Sequence, residues 1–293
     1  MYISQALEGV LLEQDDPVVT DYDIYRIGHR LFQARSFHAA PITRLPDDWD
    51  FDRTQNVIRQ LRKRTVIAPD ADFSGGVWRV VQSARSGEAA DIACIADPFC
   101  YVSHLSAMQR FGITDRSAEA LHLTTPARPQ WNALRLAQMK ADFGFDPGRI
   151  TPALHRPKIA GELRRRPVVV HESRHAATPT QIRGERARIA PIGRTFADML
   201  SEPHLCGGMR HVLEVWEREA ETWLDQIIDA VDEANAKIVK VRAGFILEER
   251  LGLTDPRIEA WTAFAQRGGS RKLDAESDYI PVWSEKWMIS INV

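Results

Sequence analysis

Three observations in the sequence predict an α+β fold. Apolar residues recur at three- and four-residue steps, above all Val212, Val215, Trp216, Trp223, Ile227 and Val231 in the C-terminal third. Short β-branched runs, TVIAP, GVWRVV and RPVVVHES, break that helical pattern. Near the N-terminus the order is helix, helix, basic helix and β-hairpin. Helical and strand patterns in one chain of 293 residues are the signature of an α+β protein with room for two domains.

The elements follow in order. In SQALEGVLLEQ, Leu7, Val10 and Leu11 share one helical face. Thr20 suits an N-cap, with Asp23 three residues on as a short-acid capping box, and Ile24, Ile27 and Leu31 form the apolar stripe that follows. Residues 33–50 hold Pro41 and Pro46 and read as a loop or small insertion. Asp52 is the expected cap of the next helix, Arg53 to Arg64. TVIAP and GVWRVV read as strands around DADFSGG, where Gly75-Gly76 supplies the positive φ angles of a tight turn. This order is that of a winged helix-turn-helix, assigned to residues 1–90.

Residues 91–293 are the expected larger mixed α/β region, strand-rich and basic to about 200, then helix-rich and acidic. YVSHLSAMQRFG reads as a helix from Ser103 to Gly112, ALHLTT and RPVVVHES as strands, and QIRGERARIAPIG as a strand pair. GRTFADMLSE starts a helix, 208–253 is mostly helical, and WMISINV ends the chain as a strand.

Charge and composition narrow the functional classes. The formal net charge is -2, but residues 1–50 carry a balance of -5, residues 151–200 of +6 and residues 201–293 of -6. Opposite local fields suit two different partners. No apolar run approaches the ~20 residues of a membrane span, and the N-terminus lacks a signal-peptide pattern, so a cytoplasmic location is the default expectation. Cys94, Cys100 and Cys206 are odd in number and show no CxxC spacing, which predicts buried reduced thiols.

The candidate site is the basic helix. Arg53 to Arg64 holds five cations and no acid. On a helical wheel Val57, Ile58 and Leu61 fall on one side, and Gln55, Asn56, Arg59 and Lys63 on the other, with Arg62 beside them. Arg or Lys reads guanine and Asn or Gln reads adenine at base edges in a major groove that admits one α-helix. Arg53, Arg64 and Arg79 are placed to meet phosphates, which position a protein without reading sequence. So few cations imply modest affinity per monomer, and hence paired half-sites or a second contacting module. The bland alternative is a solvated basic face.

HESRH, His171 to His175, formally matches the HExxH pattern of zinc proteases, in which two histidines on a helix bind the metal and the glutamate is the base. The preceding RPVVV favours strand, where the two histidines would stand about 13 Å apart at ~3.3 Å per residue. A metal hydrolase using His171, Glu172 and His175, or a nuclease of another type, is the enzymatic alternative. The remaining alternative is a protein-interaction module. No phosphate-loop or GxSxG pattern occurs; CGGMRH reads as a helix-start turn, and the basic turn AQRGGSRKLD reads equally as a phosphate binder or a connector. No catalytic residue, metal ligand or cofactor is assigned.

The winged-helix order, then DPFCYVSHLSAMQRFGITDR, then ARIAPIGRTFADMLSEPHLCGGMRHVLEVW, resembles the AbiEi family over nearly the whole chain. These are antitoxins of type IV toxin–antitoxin and abortive-infection (phage-defence) systems. The resemblance implies a cytoplasmic regulator whose N-terminal domain binds double-stranded DNA repeats in its own promoter and represses transcription. It implies that the C-terminal part counters a nucleotidyltransferase-like toxin, without need of a stable complex. It also implies that VVVHES is a strand with no metal role. The 33–50 segment is longer than that family's pattern. Arg156, Lys158, Arg164, Arg165, Arg166, Arg183, Arg186 and Arg188 are either an extension of the DNA surface or a solvated rim.

Overall fold

Capping decides where the first helices begin. In the computed structural model, which describes residues 1–85, 87–144, 152–266 and 271–293, α1 (Ile3–Gln14) buries Leu7 and Leu11. Strand β1 (Val18–Thr20) leads into α2 (Asp21–Ala34). The Asp23 N–H donates to the Thr20 hydroxyl at 3.1 Å and the Thr20 N–H to the Asp23 carboxylate at 3.4 Å, closing the capping box. Ile24, Ile27 and Leu31 face inward.

Residues 33–50 hold a small hairpin, β2 (Ser36–Phe37) and β3 (Ala40–Pro41). The segment then returns to α2 through Trp49. Its Nε1 donates to the Tyr25 carbonyl at 3.0 Å. A Cβ on Gly28 would lie 2.0 Å from the Trp49 ring, so only glycine leaves room for the indole.

Helix α3 spans Phe51–Lys63 rather than Arg53–Arg64, and its cap is Asp50 rather than Asp52. Asp50 has the extended backbone an N-cap needs, and its carboxylate accepts the Arg53 N–H at 2.8 Å. Asp52 falls in the first turn, where its charge complements the helix dipole. Thr54, Val57, Ile58 and Leu61 are the buried face. Strands β4 (Ile67–Pro69) and β5 (Val77–Val80) follow, with β5 central in an antiparallel sheet of order β1-β5-β4. Gly75 and Gly76, at φ 142 and 70, turn the hairpin.

The fold divides into two units that interleave in sequence. Unit one holds 1–101, 124–176 and 181–188, and unit two holds 102–123, 177–180 and 189–293. The 90/91 boundary expected from sequence falls inside unit one. The chain crosses the division within β6 (Tyr101–Val102), β7 (Leu121–Pro126), β10 (Thr180–Gln181) and β11 (Arg188–Ile189).

Unit one also contains two helices with weak sequence signals, α4 (Ala89–Ala96) and α6 (Arg128–Phe143). Helix α6 buries only Trp131 and Met139 and leaves Leu134 and Leu136 exposed. A tight hairpin, β8 (Glu162–Leu163) and β9 (Arg166–Ser173), turns through Arg164 and Arg165, both at positive φ.

Unit two is helix-rich. It comprises α5 (His104–Phe111), α7 (Ile192–Ser201), α8 (Met209–Glu219), α9 (Leu224–Glu233), α10 (Lys237–Gly244) and α11 (Pro256–Ala260), with a π-helical turn at Phe245–Arg250. The hairpin β12 (Trp283–Ser284) and β13 (Ile289–Ser290) closes it. The apolar periodicity across 212–231 is broken at Ala220–Trp223, so Trp216 is fully buried and Trp223 only partly. Helices α7 and α9 cross so closely that a Cβ on Gly193 would sit 1.9 Å from the Gln226 carbonyl oxygen. Among the described residues no helix is long and apolar enough to cross a membrane. The basic turn around 267–270 lies outside the described residues.

Candidate nucleic-acid interface

Helix α3 presents its cations, and only in part its amides, on the face opposite its apolar side. Its apolar side is buried, and Arg53, Arg59, Arg62, Lys63 and Arg64 are exposed. Gln55 and Asn56 are half-buried at the edges of the exposed face. Arg79 is exposed on β5.

Several cations are held in place. Arg59 donates through Nη2 to the Asn56 Oδ1, which orients the guanidinium along the helix without neutralising it. The Arg62 guanidinium lies over the Trp78 ring at 5.4 Å from its centroid, and the Trp78 Nε1 donates to Asp21 at 2.6 Å. A cation over an indole face keeps its charge while gaining about 0.5–1 kcal/mol at an exposed site. Arg64 pairs with Glu8 of α1, so part of its field is cancelled.

Charge is polarised along the helix. Asp47, Asp48, Asp50 and Asp52 gather at the start and Arg59, Arg62, Lys63 and Arg64 in the second half. That distribution satisfies the helix dipole at both ends. It also concentrates attraction for a polyanion in the second half of α3 and the adjoining strand β5, with Arg53 as an exposed cation at the acidic start.

The β4–β5 hairpin is anchored within unit one. Arg164 Nη2 contacts Asp70 at 2.6 Å, and Nη1 of the same guanidinium contacts Asp72. The Ser74 N–H donates to the Lys158 carbonyl at 3.0 Å, and the Ala160 N–H to the Asp72 carbonyl at 2.9 Å. Arg164 therefore cancels two acids beside the basic face. Arg165, Arg166 and Lys158 are exposed near that anchor. By contrast, Arg156 pairs with Glu172 at 2.7 Å, Arg186 with Asp16 at 2.6 Å, and Arg188 donates to backbone carbonyls.

Sequence patterning missed one neighbour of α3. A cleft of about 550 Å³ runs beside Arg53, Asn56 and Gln60 and is closed by Tyr2 and Arg44. The Arg44 guanidinium donates to the Tyr2 hydroxyl at 3.2 Å. Arg44 sits in an irregular segment, where no periodicity marks a side chain's direction.

The HESRH segment has a different setting. His171 and Glu172 lie on β9 and His175 in the turn after it, so the pattern is not on a helix. Among the described residues no group of three or more His, Cys, Asp or Glu side chains is arranged to hold a metal ion.

In unit two, residues of separate motifs meet. From VSH and RTFADMLSE, the His104 Nδ1 lies 2.9 Å from the Ser103 hydroxyl, and its Nε2 3.1 Å from Glu202. Arg194 pairs with Asp198 at 2.7 Å. From GITDR and CGGMRH, the Thr114 hydroxyl lies 2.7 Å from His211, and Arg116 donates to the Gly207 carbonyl at 2.6 Å. Burial pushes the Asp198 carboxyl above its ordinary value of 3.8, against the pull of Arg194 and His104.

The raised Asp198 value has a definite sign. A carboxyl raised in the fold contributes stability below the unfolded value, and that contribution is lost as pH rises through the folded value. The stability difference between Asp198→Asn and the parent should therefore move in favour of the variant as pH rises from about 4 to 8. Denaturant midpoints measured across that range check this. Parallel profiles for the two proteins would show that Asp198 does not carry the shift.

No family model matches the chain, and no curated protein matches it. Among solved structures, the crystal structure of the RV2827C protein from Mycobacterium tuberculosis is similar. It is 14% identical, with a TM-score of 0.47, over 98% of this chain and 90% of that one.

Proposed function

We propose that the chain is a sequence-specific double-stranded-DNA-binding regulator that acts by binding rather than catalysis. On this reading α1, α2 and α3 with β1, β5 and β4 form a winged helix-turn-helix, α3 enters the major groove, and the β4–β5 hairpin is the wing. The observation that carries it is the exposure of Arg59 and Lys63, with half-buried amides at their edge, on a helix whose other face is buried. Asn56, oriented against Arg59, and Gln55 offer the amides that read adenine, while Arg59 suits a bidentate guanine contact. Lys63, Arg79 and Arg53 supply phosphate contacts.

The resemblance to AbiEi proteins supplies the biological setting. The chain would repress its own operon in the cytoplasm and counter a nucleotidyltransferase-like toxin, with unit two as the antitoxin part. On this reading the exposed Arg165 and Arg166, at the anchored β8–β9 hairpin, extend the basic surface beyond α3.

A mobility-shift assay with the full chain tests the DNA reading. The duplex immediately upstream of its own reading frame should be retarded in preference to a scrambled duplex at moderate salt. Equal retardation of the two would remove the regulator reading.

A further inference from the structure

Two cysteines outside the basic face form a pair. Cys94, near the end of α4, and Cys100, one residue before β6, are 2% and 3% exposed. Their sulfurs are 3.9 Å apart. A disulfide needs about 2.05 Å between sulfurs, so the two must draw together by roughly 1.9 Å to bond.

The turn between them is built to hold this arrangement. Arg188 donates from Nη2 to the Cys94 and Asp97 carbonyls, each at 2.8 Å, and from Nε to the Cys100 carbonyl at 3.1 Å. Its backbone N–H points to the Cys94 sulfur at 3.3 Å. The Asp97 carboxylate accepts from Trp131 Nε1, the Phe99 N–H and the Thr125 hydroxyl, each at 3.0 Å. One guanidinium and one carboxylate thus fix both ends of the segment.

The pair is not sealed. A cavity of about 620 Å³ within unit one is lined by Cys94, Ile95, Pro98 and Arg188, with Asp16 and Arg186 on its wall. A small oxidant fits this space many times over. The third cysteine, Cys206, is fully buried within unit two.

We propose that Cys94 and Cys100 are an oxidation site at which a hydroperoxide entering the cavity closes an intramolecular disulfide. The Cys94 thiolate attacks a peroxide oxygen. An S–O bond forms and the O–O bond breaks; the sulfur is oxidised to a sulfenic acid, and the peroxide is reduced to an alcohol or water after taking up a proton. The Cys100 sulfur, giving up its proton, then attacks the Cys94 sulfur. The S–S bond forms, the S–O bond breaks and water leaves.

The local chemistry assigns the order of the two thiols. The hydrogen bond from Cys100 is the largest influence holding the Cys94 thiol below its ordinary value, and Arg188 adds to it against burial and the Asp97 charge. The same hydrogen bond, together with burial, pushes the Cys100 thiol up. Cys94 also lines the cavity through which the oxidant arrives, so it is the attacking sulfur and Cys100 the resolving one.

The test uses the full chain, reduced and then treated with hydrogen peroxide under native conditions. It is afterwards denatured, alkylated with N-ethylmaleimide and weighed intact. The reduced protein takes three adducts; the treated protein should take one, on Cys206, and lose two hydrogens. In Cys100→Ser a dimedone adduct should appear on Cys94, and in Cys94→Ser no intramolecular disulfide should form. Three adducts after treatment of the parent chain would overturn the proposal, and so would a disulfide that joins two chains or uses Cys206. The measurement on the parent chain stands even if a variant fails to fold.

Discussion

Replacing Arg59 by alanine should weaken binding to the chain's own upstream duplex by ~1–3 kcal/mol, roughly 5- to 150-fold, with little change on scrambled DNA. The reason is geometric. Arg59 stands in the middle of the exposed face of α3, and Asn56 orients its guanidinium without cancelling its charge. A bidentate pair with guanine is lost whole when the fork is removed. Arg64→Ala should cost less, because Glu8 already engages that side chain. Titration of labelled specific and scrambled duplexes at one fixed salt concentration separates the two effects. An Arg59→Ala loss that is equal on both duplexes would demote Arg59 to a phosphate contact.

Trp49→Ala is expected to cost about 3–5 kcal/mol of folding stability, the usual range for deleting a buried large aromatic. Trp49 is 6% exposed, fills the space Gly28 leaves on α2 and donates to the Tyr25 carbonyl. Its neighbour Asp50 caps α3, so the loss also frees the start of that helix. Urea unfolding followed by Trp fluorescence and circular dichroism measures the cost, and DNA affinity should fall with it. A variant that keeps its denaturation midpoint would show that the 33–50 segment does not fasten α3 to α2. Trp49→Phe, which retains most of the apolar area, should recover the larger part of the loss.

How much was legible in the sequence depends on the range of the interactions involved. Helix α2 declared itself because Thr20 and Asp23 cap locally and Ile24, Ile27 and Leu31 repeat at helical spacing. The exposed face of α3 was readable for the same reason: Val57, Ile58 and Leu61 on one side fix where the others point. Its cap was misplaced by two residues because Asp50 and Asp52 offer the same chemistry, and only backbone geometry separates them. Helix α6 was missed because its apolar residues do not form one clean stripe; Leu134 and Leu136 face solvent.

The tie-downs around the site were invisible for a different reason. Glu8 on Arg64, Asp21 on Trp78, and Arg164 on Asp70 and Asp72 each join residues more than fifty positions apart. Composition cannot pair them. The basic balance of residues 151–200 was legible as charge, but not as its division into committed cations such as Arg164 and Arg188 and exposed ones such as Arg165 and Arg166. Letters such as VSH, RTFADMLSE and CGGMRH were readable as an ordered set; their meeting through His104, Glu202, Thr114 and His211 is a product of the fold.

The most direct measurement is fluorescence-anisotropy titration of the upstream duplex across a range of salt, using the parent chain and an Arg53→Ala/Arg59→Ala/Lys63→Ala variant. With three to five phosphates neutralised at ~0.9 each, the parent should show a log–log salt slope of about −3 to −5. The variant should bind far more weakly with a visibly shallower slope. If the variant binds as tightly as the parent and with the same slope, α3 is not the DNA-contacting surface.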